Sequence, residues 1–358
     1  MTFDIIRKSN IKSSFRVESV LGRFDISASK IEERFIGNID LPEKWSIGLI
    51  VGKSGSGKTT ILGELFPDLV NRKAKYTEAA VIDDMPDHSV DVIVKTFNSV
   101  GFSSPPSWLK PYKVLSNGEK MRVDLANAIL QPGKMFVFDE YTSVVDRNVA
   151  KIGSLAVQKA IRKTDKQFIA CTCHYDVQEW LLPDWIFNTD TMTFQLSQKK
   201  NRPELRLKIF EGDRTYWKMF ARHHYLNADH SNSAKVFVAT INDNICAFCS
   251  VIYFPHPRVR NMRKVHRLVV LPDYQGISIG IRFLTEVAKI QINKGFRVGI
   301  TTSSPALVFG LKRNAAWLCK SIGRKSKSKS KTMSDSFKST ISTNRITATF
   351  EYHSGIRE

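Results

Sequence analysis

The sequence predicts an α/β protein of two domains. Two places combine a short apolar strand, a glycine-bearing turn and a helix, at residues 45–66 and 265–289. Between them Ser197-Gln198-Lys199-Lys200-Asn201-Arg202-Pro203 is polar, charged and ends in a proline, as a linker would. A chain of 358 residues suffices for two domains of ordinary size, expected over 1–200 and 201–358.

The first turn is the sharper signal. Gly52-Lys53-Ser54-Gly55-Ser56-Gly57-Lys58-Thr59-Thr60 fits the phosphate-binding loop pattern G-x-x-x-x-G-K-[ST] at every fixed position. Residues 45–51 before it are largely apolar, as a buried strand requires. Residues 61–66 after it start a helix that stops near Pro67. Glycines let backbone N–H groups close around phosphate oxygens, and the helix N-terminus adds its positive end. The nucleotide-binding candidates are therefore Gly52, Ser54, Gly55, Gly57, Lys58, Thr59 and Thr60. Lys58 is expected to neutralise the β/γ-phosphates and Thr59 to place its hydroxyl on Mg²⁺.

Hydrophobic content of 42% and charged content of 25% fit an ordinary soluble globular chain. No apolar run approaches the ~20 residues that a membrane helix needs. Met1-Thr2-Phe3-Asp4 lacks the layout of a signal peptide, so a cytoplasmic location without membrane contact is expected. The formal net charge of +20 points to a polyanion, usually nucleic acid; plain solubility or a surface for phosphate-rich cofactors would give the same balance. Cys171-x-Cys173 and Cys246-x-x-Cys249 do not pair as a zinc ribbon does, and their apolar surroundings predict buried thiols.

Residues 14–51 read as short strands with turns at Gly22, Gly37 and Pro42. Phe15 and Phe24 are expected in the core, with stacking on adenine as the alternative. Further on, Leu115-Ser116-Asn117-Gly118-Glu119 opens a helix over 123–130 and makes a second anion site. Met135-Phe136-Val137-Phe138 is an apolar strand ending in Asp139-Glu140, where one carboxylate can hold Mg²⁺ and the next can activate water. Tyr141-Thr142-Ser143-Val144-Val145-Asp146 follows, and a strand over 168–173 delivers His174.

In this order the motifs make residues 1–200 resemble an ABC-type ATPase domain. The resemblance implies that Lys58 and the amides of residues 55–59 hold phosphates, and that Thr59 and Asp139 serve Mg²⁺. Glu140 is then the general base for water, and His174 contacts the γ-phosphate. Ser116 and Gly118 complete the site of a second subunit, which implies an ATP-dependent homodimer. Several positions depart from the family. Asn117 replaces a glycine, Glu119 often a glutamine, and Tyr141 the proline after the catalytic Glu. No Gln occurs between Thr60 and Ser116, so the family's Q-loop glutamine is missing; Asp83 and Asp84, after the strand-like 79–82, are the nearest substitutes. The short interval from Lys58 to Ser116 favours ATPases that clamp DNA, RNA or ribosomes over a cassette that docks on a separate transporter subunit.

Beyond the linker the pattern predicts a strand over 204–210, an aromatic helix over 216–226 and a hairpin of 236–240 with 245–253 through Asn242-Asp243-Asn244. It continues with a strand over 265–271, a helix through 289, a strand over 297–301, a helix over 305–321 and a strand over 346–352. The order, with Gln275-Gly276 and Gly280 between strand and helix, resembles the GNAT acetyltransferase fold. Its Q/R-x-x-G-x-G/A motif binds the pyrophosphate of acetyl-CoA. Here Gln275, Gly276 and Gly280 stand in the motif, and Ser278 occupies the middle glycine position.

The resemblance implies direct attack of an amine on the thioester, aided by a base and an acid. His223, His224 and Tyr225 lie near the expected acceptor loop; His256, His266 and Asp273 are the other candidates, and each also has a structural or substrate-contacting reading. Residues 324–331 alternate basic residues with serine, as a phosphate-contacting loop or a solvated hairpin tip would. The pairing of both domains resembles proteins of phages and prophages. Three functions follow: an ATP-driven clamp that acylates an amine on or near nucleic acid, a phage-type DNA base-modifying enzyme loaded by ATP, or a non-catalytic ATP-switched clamp.

Overall fold

A computed structural model describes residues 1–7, 12–25, 32–70, 74–197, 201–224, 230–255, 259–324 and 346–353. Tyr225, His256 and the basic run from Lys325 to Lys331 lie outside the described residues. The chain divides into two compact units that interleave in sequence. One comprises Met1–Ala74, Pro132–Arg147 and Gln158–Arg202; the other comprises Lys75–Gln131, Asn148–Val157 and Pro203–Glu358.

The elements follow in chain order. Strand β1 (Thr2–Arg7) and helix α1 (Phe15–Phe24) precede β2 (Glu33–Asn38), β3 (Ile47–Val51), α2 (Lys58–Leu65) and α3 (Pro67–Val70). Helices α4 (Val90–Ser99), α5 (Pro105–Trp108) and α6 (Asn117–Leu130) come next. Then follow β4 (Met135–Phe138), α7 (Arg147–Ile161), β5 (Gln167–Thr172), α8 (Val177–Leu181), β6 (Trp185–Asn188) and β7 (Thr193–Leu196). The remainder runs β8 (Leu207–Gly212), α9 (Trp217–Phe220), β9 (Lys235–Ile241), β10 (Asn244–Tyr253) and β11 (Met262–Val270). It ends with α10 (Ile279–Asn293), β12 (Arg297–Thr302), α11 (Pro305–Lys312), β13 (Trp317–Arg324) and β14 (Ile346–Tyr352).

In the first unit the sheet order is β4-β5-β3-β6-β7. β3 is apolar except for Gly48, fully buried, and paired in parallel on both sides, with β5 and β6. A strand covered on both faces needs this continuous apolar run. The parallel strands aim their C-terminal ends at one edge, where ligands of open α/β sheets bind. β1 and β2 form a separate antiparallel pair.

Residues 14–51 are not all strand, contrary to expectation. Ser14 caps α1 by accepting the amide of Val17, and Asp25 ends the helix in a left-handed conformation. None of α1 is buried; Phe15 is 89% exposed and Phe24 66%, so neither is a core residue. Val17, Val20, Leu21 and Phe24 fall at helical spacing, and the Ser14 cap starts the helix.

In the second unit seven strands are ordered β13-β14-β12-β11-β10-β9-β8. Asn242 and Asp243, at φ 50° and 61°, close the β9–β10 hairpin as a two-residue turn of this hand requires. All neighbours are antiparallel except β11 and β12. That parallel pairing covers only Met262 to Lys264 against Arg297 to Gly299, so the C-terminal halves of the two strands are unpaired with each other. Helix α10 buries Phe283, Leu284, Val287 and Ala288 on one face, and Ile152 of α7 joins the same core.

Two other expectations fail here. Helix α11 ends at Lys312, and Trp317–Arg324 is the edge strand β13 paired with β14. Asn314 turns the chain, accepting the amide of Ala316 on its side chain. Residues 79–82 are turn rather than strand, and Asp84 accepts the Thr77 amide and hydroxyl.

Candidate functional sites

The phosphate loop follows β3 directly. Gly55 and Gly57 adopt φ 84° and 83°, which side chains rarely tolerate. A Cβ on Gly52 would lie 2.1 Å from the Thr189 hydroxyl, so glycine is required there for space. Lys58 Nζ donates to the carbonyls of Gly52 (2.8 Å) and Lys53 (2.6 Å), which keeps the ammonium on the loop. Ser56 bonds the Lys53 carbonyl and the Thr189 hydroxyl. Ser54 and Thr59 are exposed, Thr60 partly buried. Asp190, which the sequence did not single out, accepts the Lys53 amide at 2.9 Å. The Tyr175 hydroxyl, then that amide, hold its carboxyl below the usual range.

Thr59 Oγ1 donates to Asp139 Oδ2 at 2.9 Å, and Asp139 Oδ1 accepts the amide of Glu140. The pair of oxygens expected to serve Mg²⁺ is therefore adjacent. Glu140 is exposed and sits at φ 53°, with Thr142 at 66°, a strained backbone for residues with side chains. Between them Tyr141 is fully buried and donates its amide to the Cys171 carbonyl at 2.7 Å. Its ring packs edge-on against Phe138 and Phe168. The proline of the related family has no N–H for that bond, so the tyrosine carries a structural role of its own. Burial, then the nearby Asp139 carboxylate, push the Cys171 thiol up. His174 lies two residues past β5; burial first and the Arg147 charge second lower its pKa, while Asp176 opposes them. Arg147 is ion-paired to Asp176 and stacks over Trp180.

In the second unit Ser116 caps α6. Its hydroxyl accepts the Glu119 amide, and the Glu119 carboxylate returns a bond to the Ser116 amide and holds the Ser107 hydroxyl. A carboxylate at Glu119 thus completes a capping box, which glutamine would also form. Ser116 is exposed, and Gly118 is buried against Val149.

At the second glycine turn, Gln275 Nε2 donates to the Val270 carbonyl (2.9 Å) and Oε1 accepts the Ser103 amide (2.8 Å). Gly276 is left-handed at φ 90° and has no room for a Cβ, which would lie 2.6 Å from Ala156. Ser278 adopts φ 69°, the conformation that explains a glycine in this position, and forms the N-cap of α10. Gly280 faces Val270, where a Cβ would press on the Val270 side chain at 3.3 Å. The amides that open α10 lie just past this turn, at the helix end where the anion site is expected.

A cluster of imidazoles lies further along the same sheet. His266 is the extra residue in a bulge of β11, where Ser250 opposes Arg267 and Val251 opposes Val265. Bulges of this kind re-aim a side chain. His266 Nε2 accepts the Ser231 amide, and His230 Nε2 bonds the buried Ser250 hydroxyl at 3.0 Å. The two rings lie 5.4 Å apart, with Trp217 against His230 and His224. Burial, then Arg267, then His230 and His224 lower the His266 pKa to about 3. Burial and Arg267 lower that of His230 as well. His230 and Ser250 were not legible in the sequence, which gives no hint that they meet. His223 accepts the Arg222 Nε–H, and burial first and the Arg222 charge second lower its pKa, while Glu119 and Asp273 oppose them.

The folds and sites define a mixed α/β protein with a phosphate loop in one unit and a GNAT-type strand–turn–helix in the other. Residues 191–306 match the model of the Acetyltransferase (GNAT) family. Solved structures of both GNAT acetyltransferases and ABC cassettes align with parts of the chain. The ribosomal-protein-S18-alanine N-acetyltransferase of Escherichia coli is 14% identical over 41% of this chain and 93% of its own, with a TM-score of 0.31. A Bacillus subtilis acetyltransferase in complex with CoA is 9% identical over 42% and 99%, with a TM-score of 0.30. A dimeric bacterial ABC transporter cassette is 15% identical over 44% and 87%, with a TM-score of 0.34. No curated protein matches the sequence. Among the described residues no helix is long and apolar enough to cross a membrane.

Proposed function

We propose that this chain is an ATP-hydrolysing ABC-type homodimer whose GNAT domain transfers an acetyl group from acetyl-CoA to an amine. The functional modules are residues 1–200 and 201–358. The observation that carries the ATPase reading is the Thr59–Asp139 bond at the mouth of the phosphate loop, with Glu140 next in the chain. Lys58 and the loop amides would bind the β/γ-phosphates. Mg²⁺, held by Thr59 and Asp139, would neutralise phosphate charge. Glu140 takes a proton from the attacking water, whose oxygen bonds to the γ-phosphorus as the bond to ADP breaks. His174 contacts the γ-phosphate, and Ser116 with Gly118 completes the partner protomer's site.

In the GNAT domain the amine nitrogen bonds to the thioester carbon, and the C–S bond breaks to release the CoA thiolate, which is then protonated. The family match over residues 191–306 supports this reading, together with the left-handed Ser278 at the start of α10. The net charge of +20 supports a nucleic acid, or a protein bound to one, as the target, in the cytoplasm. DNA base modification of the phage type belongs to this reading.

A second reading is favoured by one observation. The Gln275 side chain bonds Val270 and Ser103, and Ala156 covers Gly276. A GNAT fold sealed in this way suits a non-catalytic, ATP-switched clamp.

The test is CoA-thiol release from acetyl-CoA with duplex DNA, RNA and a basic protein as acceptors, alongside ATP hydrolysis. Release with at least one acceptor is expected; hydrolysis without release under any condition favours the clamp. Glu140→Gln with Mg²⁺-ATP is expected to accumulate as a dimer by light scattering. A variant that stays monomeric contradicts the sandwich.

A further inference from the structure

The turn that opens α10 is built into the signature side of its own compact unit. Ser116 caps α6, and Arg122 lies six residues on, about 9 Å along the axis. The Arg122 residue is fully buried, and its guanidinium donates to the carbonyl oxygens of Pro272 (2.5 Å) and Asp273 (3.1 Å). Two residues later Gln275 accepts the Ser103 amide. Gly101 and Gly276, both left-handed, meet backbone to backbone: a Cβ on Gly276 would lie 2.9 Å from Gly101 Cα, and one on Gly101 2.8 Å from the Gln275 carbonyl oxygen. Every one of these residues belongs to the unit of Lys75–Gln131, Asn148–Val157 and Pro203–Glu358.

A buried guanidinium cannot slide off its carbonyl acceptors without leaving charge and dipoles unsatisfied. Nor can two glycines in van der Waals contact absorb a shift by bending, because neither has a flexible side chain to yield. A displacement of α6 is therefore passed to residues 272–278. These are the residues whose conformation sets the amides at the start of α10.

We infer that Arg122, Gln275 and the Gly101–Gly276 contact couple the signature helix to the acetyl-CoA turn, so that engagement of Ser116 by nucleotide changes acetyl-CoA affinity. The inference rests on the two ligand sites proposed above. Arg122 is a positioning residue in this scheme and touches neither ligand. Linkage makes the effect reciprocal: acetyl-CoA changes nucleotide affinity by the same factor.

The test uses the full chain carrying Glu140→Gln, which holds ATP unhydrolysed. Acetyl-CoA is titrated calorimetrically with and without Mg²⁺-ATP, and Mg²⁺-ATP with and without acetyl-CoA. A change in Kd of about fivefold or more, equal in both directions, is expected. Adding Arg122→Met should bring the factor close to one while leaving acetyl-CoA binding to the nucleotide-free protein; Arg122→Lys, which keeps a donor, should restore part of it. If Arg122→Met does not fold, Arg122→Gln, too short to hold both carbonyls, is the second variant, with the same expectation for the factor. Two ligands that both bind with a factor of one overturn the coupling and leave the proposed activity standing. A full factor in a folded Arg122→Met protein overturns the role of Arg122. No acetyl-CoA binding in any state overturns the coupling and the acetyltransferase reading together.

Discussion

The Thr59 hydroxyl donates to Asp139 Oδ2 across 2.9 Å, joining the first turn of α2 to the end of β4 over 80 residues of chain. In the proposed function this hydroxyl and carboxylate serve Mg²⁺. Asp139→Asn keeps an acceptor for Thr59 and removes the charge. It should lower Mg²⁺-dependent ATP hydrolysis by about 10–100-fold or more, with the fold intact by circular dichroism. Hydrolysis at the wild-type rate would remove Asp139 from the site.

Tyr141 is where this chain parts from the related family's proline. The buried ring and the amide bond to Cys171 predict that Tyr141→Pro destabilises the first unit by about 3–5 kcal/mol, the range for deleting a large buried aromatic. Chemical denaturation measures this. A change under 1 kcal/mol would mean that the ring fills no essential volume.

Ser278 holds a conformation that costs a side-chain-bearing residue about 1–2 kcal/mol. Ser278→Gly should leave stability unchanged or raise it, and should preserve acetyl-CoA binding. Ser278→Val should lower both, because a β-branched residue tolerates this φ least. Thermal unfolding with and without acetyl-CoA separates the effects. Equal behaviour of the two variants would contradict the backbone argument.

The His266 pKa falls from 6.5 unfolded to about 3 folded, so the folded chain binds fewer protons than the unfolded chain between these values. Its neutral form therefore contributes stability that is complete above about pH 6.5 and is lost progressively as pH falls towards 3. Burial is the first cause, with the Arg267, His230 and His224 charges adding to it. Urea denaturation at pH 7 and pH 5 should show a smaller loss for His266→Asn than for the parent. An unchanged difference would place the acid sensitivity elsewhere.

The elements with local signals were legible in the sequence. The phosphate loop, the strand before Asp139, the β9–β10 turn at Asn242-Asp243 and the amphipathic α10 each carry their instructions within a dozen residues. Helix α1 carried a helical signal that the strand reading overlooked: Val17, Val20, Leu21 and Phe24 recur at helical spacing behind the Ser14 cap, although none of them is buried. Strand β13 was hidden by the apolar run of α11 before it; its identity depends on pairing with β14, across residues 325–345. At the candidate sites the residue types could be read, but their partners could not. Gln275 was marked as a pyrophosphate ligand, yet its side chain bonds Ser103, 172 positions earlier. His230 carries no sequence signal, because its neighbours Ser250 and His266 come from the strands β10 and β11. Such relations are set by tertiary packing, which a single sequence does not display.

The proposed function requires one chain to bind both ATP and acetyl-CoA. Calorimetric titration of acetyl-CoA into the purified full chain tests it most directly, with and without Mg²⁺-ATP. Binding with a Kd on the order of micromolar, near −8 kcal/mol, is the predicted result. A flat titration in both states would contradict the acetyltransferase reading and leave a nucleotide-switched clamp as the account of the fold.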